Sequence, residues 1–215
     1  MRRNRIDYVV YPGSLSDSFN NKRRRNLLEA LVLSTLVVAL AEMGDKTQLL
    51  SLVLAAKLKR RVPIILGILF ATLANHLLAG YVGAWLASLV SPQALRWTVA
   101  LSFFAFGAWA LRPDKLEEDR TLRGTGVFLT TLIAFFLVEM GDKTQLATVA
   151  LAARYGSLVA VVLGTTLGMM IANVPAVWIG GALAHRVNMQ VMRWVAAGLF
   201  VLLGVLALFA PIRGA

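Results

Sequence analysis

The sequence predicts an all-α integral membrane protein of six transmembrane helices, arranged as two inverted three-helix repeats. Three observations carry that prediction. The 215-residue chain is 58% hydrophobic, with a mean hydropathy of +0.71, and its apolar residues fall in runs long enough to cross a bilayer. Six such runs can be drawn. Most of the chain also repeats itself at a constant offset of 97 residues.

Residues 1–26 are polar and basic, with Arg2, Arg3 and Arg5 followed by Lys22 through Arg25. Val9 and Val10 interrupt it with apolar character, too little for the hydrophobic segment of a signal peptide. The stretch reads as a mobile tail. The apolar segments are Leu27–Ala56, Val62–Val90, Leu95–Leu111, Gly124–Ala153, Leu158–Leu183 and Val191–Ala210. About 20 residues span the hydrocarbon core, so the first, second, fourth and fifth should be tilted, kinked or interrupted. None alternates polar and apolar residues as a membrane β-strand would. A charged connector, residues 113–123, separates a first repeat (27–112) from a second (124–210), and residues 211–215 form a C-terminal tail.

The shift of 97 carries Gly67 onto Gly164, Gly83 onto Gly180, Arg96-Trp97 onto Arg193-Trp194 and Gly107 onto Gly204. An ungapped match of this kind marks an internal duplication. Each repeat holds an odd number of spans, so the second must enter the membrane from the opposite side. Secondary transporters use that arrangement, with the binding site at mid-membrane where the repeats meet. Counting Lys and Arg leans toward both termini outside, whereas the Lys22–Arg25 cluster argues the other way.

The shift also superposes one string on itself. Glu42, Met43, Gly44, Asp45, Lys46, Thr47 and Gln48 return as Glu139, Met140, Gly141, Asp142, Lys143, Thr144 and Gln145. Both copies lie inside apolar segments, where ionisable groups are costly and mark ion or substrate pathways. The spacing of three places each Glu and Asp on one helix face. Thr47, Gln48, Thr144 and Gln145 add neutral oxygens about one turn further on. Converging carboxylates with hydroxyl and amide oxygens suit a hard divalent cation such as Mn2+ or Ca2+, and disfavour soft metals.

Four carboxylates less Lys46 and Lys143 leave a charge of −2, which one divalent cation or two protons would neutralise. Competition for the same oxygens would couple the two. Gly44 and Gly141 could let the helix unwind and offer carbonyls as ligands, and Lys46 and Lys143 read as organisers of the acids. A structural reading, with every acid tied to a lysine across the interface, stands beside the functional one.

Asn75, His76 and Asn173 are secondary metal or proton-path candidates, His76 being matched to Asn173 by the shift; an interhelical hydrogen bond is their plainer role. His185, beside Arg186, reads as interfacial, and the repeated Arg-Trp pair as an interface anchor. Gly67, Ala71, Gly164 and Gly168 are read as packing positions.

The net charge of +11 falls mostly in connectors and the tail, which suits anionic headgroups and implies no nucleic-acid partner. Cysteine is absent, which excludes disulfides, thiolate metal sites and thiol catalysis. Intramembrane aspartyl proteases carry Gly-x-Gly-Asp, whereas here Glu42-Met43 precedes Gly44-Asp45; the chain reads as no enzyme.

The doubled Glu-x-Gly-Asp-Lys-Thr pattern resembles that of the Gdt-type cation transporters, over roughly residues 27–210. The resemblance implies a divalent-cation/proton antiporter, since bacterial members export manganese and eukaryotic relatives handle manganese and calcium in the Golgi and chloroplast. Glu42, Gly44, Asp45, Lys46 and Thr47 match the first signature; Glu139, Gly141, Asp142, Lys143 and Thr144 match the second. By that reading Glu42, Asp45, Glu139 and Asp142 hold the metal, the ion is substrate rather than cofactor, and the partners are the cation, protons and lipid bilayer. The expected location is a bacterial inner (plasma) membrane. A passive divalent-cation channel or an exporter of another small solute are the alternatives. A homo-oligomer is compatible with this reading.

Overall fold

The computed structural model describes residues 13–112, 126–179 and 189–209, and every regular element among them is helical. In chain order these are α1 (Gly13–Glu42), α2 (Lys46–Leu58), α3 (Arg61–Leu89), α4 (Pro92–Ala110), α5 (Val127–Glu139), α6 (Lys143–Tyr155), α7 (Leu158–Ile179) and α8 (Met189–Phe209). Residues 1–12 of the expected tail, the connector 113–123, Gly180, His185, Arg186 and the tail 211–215 lie outside the described residues. Helix α1 begins at Gly13, inside the stretch read as a tail.

Helices α3 and α7 are each long and apolar enough to cross a membrane; α1 and α2 meet that test as a pair, bent by 69°. The bend falls inside the segment Leu27–Ala56, expected to be tilted, kinked or interrupted. Helix starts and stops follow local chemistry. Ser91 caps α4 by accepting from the Ala94 N–H at 3.3 Å, with Pro92 in the first turn, where its missing N–H costs nothing. Lys59 and Gly156, 97 residues apart, close α2 and α6 in left-handed conformation, with φ of 54° and 61°.

Packing interlocks the two halves. The pair α1–α2 lies on α7, and the pair α5–α6 lies on α3, so each broken helix rests on the long helix of the other half. Close approach explains the glycines at these seams. A Cβ on Gly164 would sit 2.5 Å from the Leu31 carbonyl oxygen, and one on Gly168 2.5 Å from that of Thr35, so small residues let α7 seat against α1. Helices α3 and α7 run antiparallel: Arg61 stacks on Trp178 at 5.1 Å, and Gly80 approaches Leu158 at the opposite ends.

Helices α4 and α8 form the other seam. Phe103 and Phe200, equivalent under the repeat shift, pack on each other at 6.4 Å between ring centroids. Phe106 meets the Phe200 ring edge at 5.9 Å. A second apolar cluster, built on Leu54, Ile64, Ile68 and Phe135, joins α2, α3 and α5. Outward faces carry exposed large apolar side chains such as Phe70, Leu77, Tyr81, Val159 and Ile171, while the four motif acids lie inside. That polarity is the reverse of a water-soluble bundle and suits a lipid surround.

Candidate ion site between the broken helices

The sequence spacing puts Glu and Asp on one helical face, and the structure overturns that. Glu42 is the last residue of α1 and Asp45 precedes α2; Glu139 is the last residue of α5 and Asp142 precedes α6. Between them the chain makes a tight turn. The Asp45 N–H donates to the Glu42 carbonyl at 3.0 Å, and the Asp142 N–H to that of Glu139 at 3.0 Å. Gly44 and Gly141 adopt φ of 85° and 77°. With Met140 at φ −63° and ψ 121°, the second copy is a type II turn, which demands glycine at its third position. The helix breaks because Gly can enter that region and a residue with a Cβ does so only at a cost.

The last residue of each string holds the turn. Gln48 Oε1 accepts the Gly44 N–H at 2.9 Å and Gln145 Oε1 the Gly141 N–H at 2.6 Å. These bonds resemble a capping box displaced by one residue. Asp45 and Asp142 occupy N-cap positions yet make no side-chain cap hydrogen bond. Their carboxylates are committed elsewhere.

Each aspartate pairs with the lysine of the other string. Lys143 Nζ lies 3.0 Å from Asp45 Oδ2, and Lys46 Nζ lies 3.1 Å from Asp142 Oδ1. The contacts are reciprocal under the repeat shift, as expected of a two-fold relation. The structural alternative is therefore half right: the aspartates are ion-paired, across the interface. Among the described residues the reciprocal lysine contacts fall on the aspartates, not on the glutamates.

Glu42 and Glu139 are buried, at 0% and 1% exposure. Thr47 Oγ1 donates to Glu42 Oε2, and Thr144 Oγ1 donates to Glu139 Oε1 at 2.7 Å. Glu42 Oε1 and Glu139 Oε2 have no hydrogen-bond partner among the described residues. One carboxylate oxygen from each of Glu42, Glu139 and Asp142 can be chosen so that all three lie within 4.8 Å of one another. Unpartnered buried carboxylate oxygens cost several kcal/mol unless a ligand or proton joins them. The N-termini of α2 and α6 also face this region, adding favourable dipoles for the acids.

The secondary candidates divide. His76 is fully buried, and its Nε2 lies 3.4 Å from Glu139 Oε1. Asn75 donates to the Phe136 carbonyl at 3.0 Å and accepts from Gln145 at 3.5 Å. Asn173 donates to the Met169 carbonyl at 3.0 Å and accepts from Ser51 Oγ at 2.7 Å. Gln48 crosses to the Ala172 carbonyl at 3.0 Å. Asn75, Asn173 and the two glutamines thus join the motif turns to the opposite half. Ser51 lies outside the repeated string and motif reading misses it. Its signal was available: the shift carries Ser51 onto Thr148, another hydroxyl. A small recess bordered by Met43, Gly44, Asp45, Lys143 and Arg193 opens beside the first turn.

Apolar helices wrapped around a buried, partly unneutralised acidic cluster define an integral membrane protein built to handle ions. Comparison with known proteins names the family. The description "Divalent cation/proton antiporter GDT1" matches residues 30–118 and again 127–214, two matches whose starts differ by 127 − 30 = 97 residues. The chain belongs to the GDT1 family of divalent cation/proton antiporters.

Among its relatives is a Vibrio cholerae protein named "Putative manganese exporter", 45% identical over 86% of this chain and 92% of that one. "GDT1-like protein 5" of Arabidopsis thaliana is 26% identical over 87% of this chain and 98% of its own length. "GDT1-like protein 3" of Oryza sativa subsp. indica is 26% identical over 86% and 75%. No solved structure matches the chain.

Proposed function

We propose that this chain exports manganese across a bacterial plasma membrane in exchange for protons, binding the ion between its two acidic turns. The observation that carries this reading is the charge remaining after the crossed pairs. Lys143 neutralises Asp45 and Lys46 neutralises Asp142, which leaves the two glutamates with a charge of −2 when ionised. One divalent cation or two protons cancel it. The neutral loaded forms can be exposed alternately to either side, whereas the empty charged form pays the cost of a buried dianion. That difference forbids uncoupled return and gives exchange.

In this reading six spans form two inverted halves, with α1–α2 and α5–α6, each interrupted at its motif turn, counting once. The antiparallel run of α3 against α7 supports it, since the repeat shift makes those helices equivalents. Ion and protons meet at the crossing of the halves, as in other inverted-repeat carriers. Glu42, Glu139 and Asp142 are the oxygen ligands, with Asp45 completing the charge pattern through Lys143. Manganese is placed ahead of calcium because the bacterial relative at 45% identity carries a manganese exporter's name.

The test is flux in proteoliposomes of the purified full chain. An imposed pH gradient should drive Mn2+ against its own gradient, and an ionophore that collapses the pH gradient should stop it. Downhill Mn2+ flux indifferent to the pH gradient would replace the antiporter with a channel. Absence of any divalent-cation flux would leave export of another solute.

A further inference from the structure

We infer that His76 is a nitrogen ligand of the transported ion and that it sets the preference for Mn2+ over Ca2+. This inference rests on the site proposed above and concerns a residue outside both repeated strings. His76 lies on α3 and is fully buried. Its Nε2 lies 3.4 Å from Glu139 Oε1, while Nδ1 has no hydrogen-bond partner among the described residues. Adjacent ligands around a six-coordinate divalent ion lie about 3 to 3.5 Å apart, given bond lengths of about 2.1 to 2.5 Å. The histidine and the glutamate are therefore spaced as neighbours in one coordination shell. With the ring proton on Nε2 the pair is a hydrogen bond; with it on Nδ1 the Nε2 lone pair faces the carboxylate, and a cation takes the place of that proton.

The repeat supplies an internal control. The position equivalent to His76 is Asn173, which spends its amide on the Met169 carbonyl and its oxygen on Ser51. The acids are doubled and the imidazole is not, so one wall of the site carries nitrogen and the other only oxygen. The difference is chemically selective. Ca2+ is held by oxygen donors, whereas imidazole binds first-row transition ions. Among ions that accept carboxylates, a nitrogen donor raises Mn2+ relative to Ca2+.

The experiment uses the purified full chain carrying a histidine-free affinity tag, loaded with Mn2+ alone or Ca2+ alone. Electron spin-echo envelope modulation of bound Mn2+ should show a directly coordinated imidazole nitrogen in the unaltered protein. His76→Asn, which installs the residue already present at position 173, should abolish that signal. In proteoliposomes it should lower the Mn2+:Ca2+ flux ratio by about tenfold while Ca2+ flux continues. His76→Gln gives a second amide should the first variant fold poorly, and the spectrum of the unaltered protein needs no variant. Mn2+ bound without nitrogen modulation, or an unchanged flux ratio in a folded variant, overturns the assignment. Failure of the underlying site looks different: Glu42→Gln and Glu139→Gln would then transport Mn2+ normally whatever His76 does.

Discussion

Lys143 Nζ sits 3.0 Å from Asp45 Oδ2, so the lysine of the second string neutralises the aspartate of the first. Its mirror contact joins Lys46 to Asp142. Breaking a buried pair strands a charge at about 3–5 kcal/mol, so Lys143→Met should sharply reduce the folded, membrane-resident protein. Lys46→Met should cost less, because the Lys46 side chain keeps 21% of its surface exposed. The exchange Asp45→Lys with Lys143→Asp should recover more stability than Asp45→Lys with Lys46→Asp. Thermal melts in detergent read the difference, and equal recovery by both would refute the crossed pairing.

The glutamates should carry transport, not folding. Glu42→Gln and Glu139→Gln keep shape and hydrogen-bonding capacity while removing charge, so both proteins should reach the membrane. Manganese efflux should fall to the level of cells lacking the protein, measured as cell-associated manganese after a load. Retained efflux in both variants would end the site assignment.

Thr47 and Thr144 hold the glutamates by their hydroxyls. Residues that orient a metal ligand typically contribute about 10–100-fold in affinity. Thr144→Ala should therefore raise the Mn2+ concentration needed for half-maximal flux by that order, and Thr144→Ser should restore it. Equal behaviour of the two variants would show the hydroxyl to be idle.

Glycine at 141 answers a backbone demand, since its φ is 77° and an added Cβ meets nothing within 4 Å. Gly141→Ala should lose about 1–2 kcal/mol through the left-handed conformation alone. Gly141→Asn should lose less, as Asn tolerates that region. Identical melting temperatures for the two would mean that the turn has rearranged.

Topology is testable because the chain has no cysteine. Arg60→Cys and Ser157→Cys occupy equivalent corners, 157 − 60 = 97 residues apart. In an inverted repeat, an impermeant thiol reagent should reach them from opposite sides of the membrane. Labelling from one side would require parallel halves.

The apolar segments were legible because a bilayer fixes the length and polarity of whatever crosses it. Observed helix ends lie within a few residues of several predicted ones, such as Val62–Val90 beside Arg61–Leu89. The duplication and its acids were legible because an ungapped shift requires no geometry. The interruption at Gly44 was legible in the glycine itself, whereas the i, i+3 spacing of Glu42 and Asp45 fits a continuous helix equally well and hides the turn that parts them. Only the backbone angles distinguish a turn from a helical step.

By itself, the order of residues determined that two acids and one lysine lie twice over in apolar surroundings, because composition and periodicity are local properties. Which lysine meets which acid was decided by tertiary structure. Asp45 and Lys143 are 98 positions apart, and they meet because each broken helix packs on the long helix of the other half. That crossing releases Glu42 and Glu139 from lysine partners and sets His76 beside one of them. Charge balance could be counted along the chain, but its distribution depends on distances of a few ångströms that only the folded halves create.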